Sequence, residues 1–189
     1  GAGDAPAHCS GRRGGNPVTH SAASLIDEGK RVLRVEGAAI AALEERIDED
    51  FVRACHIVAD SSGRIVVCGI GKSGHIARKI AATLTSTGTP ATFQHAVEAL
   101  HGDLGIVGRD DVAILISKSG DGWELGSLTE HLVRLGVPLI AITGGAASPL
   151  ANDATVVLDS SVAEEACPMD LAPTSSTDRK STRLNSSHQ

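Results

Sequence analysis

The sequence predicts an α/β fold in which helices cover both faces of a doubly wound, parallel five-stranded sheet. Short runs of consecutive apolar residues recur along the chain, for example Arg64–Cys68 and Val112–Ile116. Runs without polar alternation are typical of strands that are buried on both faces. Segments with helical apolar spacing separate these runs, and a regular alternation of strand and helix is typical of a parallel sheet.

The elements follow in order along the chain. Ala22–Ile47 and Glu49–Ala59 have apolar residues at helical spacing, so each is predicted to be a helix. The first strand, Arg64–Cys68, leads into a helix over Ser73–Leu84. The later predicted elements are the strands Ala91–Gln94 and Val112–Ile116, the helix Trp123–Leu135, and the strands Pro138–Ile142 and Thr155–Leu158.

The two ends of the chain differ in composition from its centre. Residues 1–21 are rich in Gly, Pro and polar residues, which is typical of a disordered leader. Asp178–Gln189 has no apolar periodicity, and we interpret it as a non-native tail. We therefore expect one α/β domain over residues 22–177, incomplete at its C-terminus.

The composition excludes several classes of function. The formal net charge is −6 and only 2% of the residues are aromatic, so the chain lacks the cations and stacking rings of a nucleic-acid-binding protein. The four cysteines show no paired spacing, which is typical of reduced thiols. No apolar run approaches the length of a membrane span. We expect a cytoplasmic protein without nucleic-acid or membrane partners.

The turn after the first strand is the first candidate site. Gly69–Gly74 has the sequence GIGKSG, and glycines before a helix N-terminus let the backbone approach an anion. A phosphate-binding P-loop would need glycine where Val66 stands. The glycine spacing fits a dinucleotide fingerprint, but Phe93–His95 ends the second strand without the acid that would hold a ribose. A cation at Lys72 opposes the helix dipole, which indicates an anionic ligand or a carboxylate nearby.

Three further turns add hydroxyl groups. Ser117–Gly122 follows the third strand, Thr143–Gly145 follows the fourth, and Pro173–Thr177 precedes a last expected helix. Because the carboxyl ends of parallel strands meet at one edge of a sheet, these turns are predicted to converge. Hydroxyls and helix N-termini bind phosphate, so a phosphorylated small molecule is the predicted ligand. Ser119 or Asp121 would alternatively serve only as a helix N-cap.

Acidic and histidine side chains near these turns supply candidate chemistry. Glu124 opens the helix after the serine-rich turn, where an acid also favours the helix dipole. Glu165 precedes an Ala-Cys-Pro segment, where a solvated carboxylate is the alternative. His95 and His101 have the chemistry of metal ligands, but their spacing matches no zinc pattern. We therefore favour substrate binding or catalytic orientation over a structural metal site, and metal ligation by His95 and His101 stays the alternative.

Five segments together resemble one known family. They are Gly69–Pro90, His101–Gly105, Ser117–Asp121, Arg134–Gly144 and Glu165–Thr177. Over residues 25–177 they resemble the sugar isomerase (SIS) domain of D-arabinose-5-phosphate isomerases. The resemblance implies a flavodoxin- or Rossmann-like fold. It also implies an aldose–ketose isomerase without a cofactor, which interconverts D-ribulose 5-phosphate and D-arabinose 5-phosphate for 3-deoxy-D-manno-octulosonate and lipopolysaccharide biosynthesis.

The resemblance also implies roles for individual residues. The implied reaction moves a proton between C1 and C2 of the open-chain sugar through an enediolate, and a carboxylate is a suitable base for it. Glu165 matches this base, and Lys72 matches a lysine that stabilises the oxyanion or the phosphate. Glu124 and His101 match a second acid and a histidine of the active site. The implied phosphate-binding residues are Gly71, Ser73, Ser117, Ser119, Gly120, Thr174, Ser175, Ser176 and Thr177.

The sequence departs from the family pattern at three points. Gly122 replaces a hydroxyl residue, Asp170 adds a charge, and the His-Pro-Gly-Gly segment and paired CBS domains of the family do not follow Thr177. We therefore expect a fragment with weak or no activity of its own.

Two other functions and the oligomeric state remain as hypotheses. A non-catalytic SIS module that senses a sugar phosphate is the alternative function, although the joint presence of Lys72, Glu124 and Glu165 favours the isomerase. A seven-carbon sugar-phosphate isomerase is a third hypothesis, which the Glu-Ala-Cys-Pro segment disfavours. The resemblance implies association between subunits, and the apolar faces of Ala22–Ile47 would suit such an interface, so we expect a homodimer or homotetramer.

Overall fold

Five parallel strands form the centre of the structure, a computed structural model that describes residues 21–162, with residue 104 described by its backbone alone. The strands are β1 Ile65–Gly69, β2 Ala91–His95, β3 Val112–Ser117, β4 Leu139–Thr143 and β5 Val156–Asp159. Their order in the sheet is β2-β1-β3-β4-β5, and every neighbouring pair is parallel. The predicted doubly wound five-stranded sheet is confirmed.

Helices cover both faces of this sheet. The helices of the described residues are α1 Ala22–Ala41, α2 Glu49–Ala59, α3 Gly71–Ser86, α4 Ala96–Leu100, α5 Trp123–Leu135 and α6 Pro149–Asp153, with short 3-10 helices at Glu44–Arg46 and Asp103–Ile106. The side chains of a strand alternate between its two faces. One face of β1 therefore packs Val67 against α2 and α3, and the other packs Val66 against α4 and α5. This two-sided burial explains why the central strands are apolar at nearly every position.

Burial changes the chemistry of one cysteine. Cys68 lies on the α4–α5 side of β1 and is 1% exposed. Burial raises the pKa of its thiol to about 12, because the thiolate would lose its hydration there. The thiol therefore stays protonated near neutral pH and packs as a small apolar group.

Several predicted boundaries were wrong by a few residues. The first helix ends at Ala41 instead of Ile47 and is followed by the 3-10 helix Glu44–Arg46, after which Asp48 caps the next helix by accepting a hydrogen bond from the backbone N–H of Phe51. The helix after β1 begins at Gly71, before Ser73. The pattern missed α4 and α6, which are five residues each and too short for a helical period.

The described helices differ in how they pack. Helix α1 contains no buried residue, although it is 20 residues long. Helix α5, by contrast, buries Leu125, Leu128 and Leu132. Within residues 21–162, no helix is both long enough and apolar enough to cross a bilayer.

Candidate functional site

The strand register aligns the carboxyl ends of the five strands along one edge. His95 pairs with Gly69, Ser117 pairs with Thr143, and Thr143 pairs with Asp159. The turns that the sequence analysis singled out after β1, β3 and β4 therefore leave the sheet from the same edge. In open parallel sheets, ligands bind at this edge, near the point where the strand order reverses. Here the order reverses between β1 and β3.

The turn after β1 brings strand and helix into close contact. A Cβ atom on Gly69 would lie 2.7 Å from the carbonyl oxygen of Ser73, and one on Gly74 would lie 2.9 Å from the carbonyl oxygen of Gly69. Glycine is therefore required at both positions by the packing of α3 on β1. This contact accounts for the glycine spacing without a dinucleotide. Ile70 is the N-cap of α3, and its side chain makes no capping hydrogen bond.

The serine-rich turn after β3 is held by its own hydroxyl groups. The backbone N–H of Gly120 donates to Ser117 Oγ (3.0 Å), and that of Asp121 donates to Ser119 Oγ (3.4 Å). Each serine hydroxyl keeps its own hydrogen for another acceptor. The N-cap of α5 is Gly122, which has no side chain to cap the helix. The alternative that Ser119 or Asp121 serves only as the N-cap is therefore wrong.

The turn after β4 fixes the serine-rich turn in place. The backbone N–H of Gly144 donates to the carbonyl oxygen of Lys118 (3.0 Å). A Cβ atom on Gly145 would overlap the carbonyl oxygen of Ser119. Gly120 has a φ of 79° and its Cα faces Ser148 Oγ so closely that a Cβ atom would overlap it. The two turns therefore pack backbone against backbone.

These turns enclose a cleft of about 440 Å³, which we name the β3–β5 cleft. Its size is within the range of small-molecule sites. Its polar groups suit a phosphorylated, hydroxyl-rich ligand, because they combine one cation, one carboxylate and three hydroxyls. The lining residues are Lys118, Ser119, Asp121, Gly144, Gly145, Ser160, Ser161 and Val162.

The structure brings some of the predicted site residues together. Ser119 lines the cleft, and Ser117 and Gly120 are buried in the same turn. Glu124, half-buried, lies in the first turn of α5 directly after it. Glu165, Thr174, Ser175, Ser176 and Thr177 lie outside the described residues.

The remaining predicted residues follow the neighbouring strands β1 and β2. Gly71, Lys72 and Ser73 form the first turn of α3, where Lys72 is exposed. His95 ends β2 and its Nδ1 atom, although buried, has no hydrogen-bond partner among the described residues. His101 follows α4 and is exposed. None of these five residues lines the β3–β5 cleft.

Three cleft residues, Ser160, Ser161 and Val162, were missed by the sequence analysis. Ser160 and Ser161 directly follow β5. This pair of hydroxyl residues at the end of the fifth strand could have indicated their place in the cleft. Ser160 is 2% exposed, and its Oγ atom finds no hydrogen-bond partner within residues 21–162. A buried hydroxyl without a partner is costly unless a ligand or water satisfies it. In the same part of the chain, no group of three His, Cys, Asp or Glu residues is arranged to hold a metal ion.

Two curated relatives are similar over most of this chain. The sequence is 51% identical over 153 residues to arabinose 5-phosphate isomerase KdsD of Pseudomonas aeruginosa, covering 81% of this chain and 47% of the relative. It is 52% identical over 154 residues to arabinose 5-phosphate isomerase GutQ of Salmonella typhi, covering 82% and 48%. The chain therefore spans about half the length of the curated relatives that it matches.

Two solved structures and one family model are also similar to this chain. A putative sugar-phosphate isomerase from Listeria monocytogenes superposes with a TM-score of 0.86 at 30% identity, covering 89% of both chains. Protein c3406 of Escherichia coli CFT073, solved in complex with A5P, gives 0.80 at 36% identity, covering 89% of this chain and 92% of that chain. The SIS domain model matches residues 58–184. The resemblance predicted from the five sequence segments is thus confirmed, and the chain belongs to the SIS domain family.

Proposed function

We propose that this chain is the SIS domain of an aldose–ketose isomerase that interconverts D-ribulose 5-phosphate and D-arabinose 5-phosphate. The observation that carries the proposal is the 51–52% identity to two arabinose 5-phosphate isomerases over about four-fifths of the chain. The polar β3–β5 cleft supports it, because a pentose phosphate needs a site with both hydroxyls and phosphate-binding groups.

The phosphate group is proposed to bind at the serine-rich turn. Ser119 lines the cleft and carries a hydroxyl group, and Lys118 adds a positive charge to the lining. The amide groups at the start of α5 add the positive end of a helix dipole, and no side chain caps that end. Ser117 and Gly120 hold the turn in shape. The hydroxyls of Thr174, Ser175, Ser176 and Thr177 are proposed to complete this site, together with Gly71 and Ser73.

The reaction requires a base, a stabiliser for negative charge and a second proton path. Glu165 is proposed to remove the proton from C2 of the aldose and to return it to C1, which gives the ketose. Lys72 stabilises the negative oxygen of the enediolate, because a fixed cation favours the charge that develops there. Glu124 and His101 move the proton between the two sugar oxygens. One carbon is oxidised as its neighbour is reduced, so the balance needs no redox cofactor.

The proposal is tested by combining the isomerisation with solvent isotope exchange. The purified chain, and the gene product extended to the length of the relatives, are incubated with D-ribulose 5-phosphate in D₂O and followed by NMR. We expect the extended product to form D-arabinose 5-phosphate with deuterium at C2, because the enediolate takes its proton from a base that exchanges with solvent. Binding of the sugar phosphate without turnover in either form would favour the sensing module instead. Absence of binding in both would contradict both functions.

We also propose that α1 mediates assembly into a homodimer or homotetramer. Ile26, Leu33 and Ile40 are spaced seven residues apart and so lie on one side of the helix. Ile26 is 58% exposed and Leu33 is 71% exposed. Helices in proteins gain most of their stability from tertiary packing of an apolar face, and α1 buries none of its residues. An apolar partner surface would therefore stabilise it, and a second copy of the chain is the proposed partner.

A charge on the apolar side of α1 is expected to dissociate this assembly. Leu33→Asp would place a carboxylate in the proposed interface, where desolvation disfavours it, and sedimentation equilibrium should then report the monomer mass. Ser24→Asp is the matched control, because residue 24 lies on the opposite side of the helix and is exposed. A native assembly mass for Leu33→Asp, or a monomer for the unaltered chain, would contradict the proposed interface.

A further inference from the structure

Arg46 connects the N-terminal helices to the wall of the β3–β5 cleft. It lies in the 3-10 helix between α1 and α2. Its Nη1 atom donates to Asp159 Oδ2 (2.7 Å), to the carbonyl oxygen of Ser161 (3.0 Å) and to Ser161 Oγ (2.6 Å). Asp159 ends β5 and Ser161 lines the cleft. One guanidinium group thus holds the chain at the point where it leaves the sheet.

Asp159 closes a hydrogen-bond network around this contact. Its Oδ1 atom accepts from the backbone N–H of Ser161 (2.7 Å), and its Oδ2 atom accepts from Ser161 Oγ (3.2 Å). We name Arg46, Asp159 and Ser161 the arginine clamp. A planar guanidinium suits several acceptors at fixed angles, whereas an ammonium group is a point charge without that geometry.

The turn after β4 confines the same segment from the other side. The backbone N–H of Ser160 donates to the carbonyl oxygen of Thr143 (2.9 Å). A Cβ atom on Gly144 would lie 3.1 Å from the Cα atom of Ser161, so the two backbones are in close contact. The cleft wall Ser160–Val162 therefore lies between the β4 turn and the arginine clamp.

We propose that Arg46 is a positioning residue for ligand binding in the β3–β5 cleft. By fixing Asp159 and Ser161, it sets the backbone at Ser160, whose buried hydroxyl lacks a partner among the described residues. The bound ligand is the sugar phosphate, so this step rests on the proposed function. Half-exposed ion pairs contribute little to stability by themselves. The clamp therefore acts mainly on the geometry of the wall.

The test replaces Arg46 and a matched arginine at the other end of β5. Arg53 also pairs with an acid, Asp50 (2.7 Å), and donates to the carbonyl oxygen of Thr155 (3.1 Å), just before β5 begins. Arg46→Met and Arg53→Met remove the same charge. Amide hydrogen exchange of residues 156–162 reports the order of the wall, and calorimetry with D-arabinose 5-phosphate reports binding.

Arg46→Met is expected to speed exchange of the Ser160 and Ser161 amides and to weaken binding of the sugar phosphate, each by about tenfold, as for the loss of one charge-assisted hydrogen bond. Arg53→Met should change neither. Arg46→Lys should restore less than half of the lost binding, on a logarithmic scale, if geometry matters more than charge.

Two outcomes would overturn the positioning role. They are unchanged exchange in Arg46→Met, and faster exchange with unchanged affinity. Full recovery of binding in Arg46→Lys would contradict the need for a guanidinium group, because the three contacts named above are made by the single nitrogen Nη1, which an ammonium group could replace. If neither the unaltered chain nor the gene product at the length of the relatives binds D-arabinose 5-phosphate, the proposed function fails. The exchange comparison between Arg46→Met and Arg53→Met then still decides whether Arg46 orders the wall.

Discussion

Replacing Glu165 with glutamine is expected to lower turnover of D-ribulose 5-phosphate by about a thousandfold, within the range typical of a lost general base. The amide has nearly the shape of the carboxyl group, but it cannot accept the proton from carbon. Affinity for the sugar phosphate should stay within about twofold, because phosphate contacts dominate binding in the proposed site. The measurement compares kcat from the isomerase assay with the dissociation constant from calorimetry, using the gene product at the length of the relatives.

The adjacent acid is the matched control for this prediction. Glu164→Gln makes the same chemical change one residue earlier, and we expect nearly native turnover. If Glu164→Gln lost activity and Glu165→Gln did not, the base would be Glu164. If both variants turned over normally, the proton would be carried by another group, and the role that the resemblance implies for Glu165 would be wrong.

The central strands could be predicted from the sequence because burial on two faces leaves a direct pattern. β1, β3 and β4 are buried at every position and are apolar at every position except the last. Each of them also extends one residue beyond its predicted end, to Gly69, Ser117 and Thr143. These residues are glycine or polar, so hydropathy excluded them. Their backbones nevertheless pair with the neighbouring strands, which a hydropathy pattern does not report.

The candidate site could be predicted only where its polar residues stand next to one another in a single turn of the sequence. The serine-rich turn at Ser119 has glycine, hydroxyls and a cation in consecutive positions. Ser160 contributes to the cleft because β5 pairs with β4 in one particular register. Arg46 reaches Ser161 across 115 positions of sequence. A contact of this kind depends on tertiary packing, so spacing within the sequence does not indicate it.

Gly145→Ala is expected to destabilise the domain and to abolish most binding in the β3–β5 cleft. The new Cβ atom would overlap the carbonyl oxygen of Ser119, which belongs to the backbone and cannot rotate away. The serine-rich turn would have to move, and overpacking of this kind costs about 1–3 kcal/mol of the free energy of unfolding. Because that turn is the proposed phosphate site, affinity for D-arabinose 5-phosphate should fall more than about tenfold.

A second glycine separates this effect from a general response to alanine. Gly126 lies within α5, and a Cβ atom there would have no atom of residues 21–162 within 4 Å, apart from its chain neighbours and the adjacent helix backbone. Gly126→Ala should therefore raise the free energy of unfolding by about 0.5–1 kcal/mol and leave binding unchanged. Urea denaturation measures the free energy of unfolding. The fluorescence of Trp123, the single tryptophan and the first residue of α5, measures binding of D-arabinose 5-phosphate. Native affinity in Gly145→Ala would show that the ligand does not depend on the packing of the β3 and β4 turns, and the phosphate site would then have to lie at the α3 turn beside Lys72.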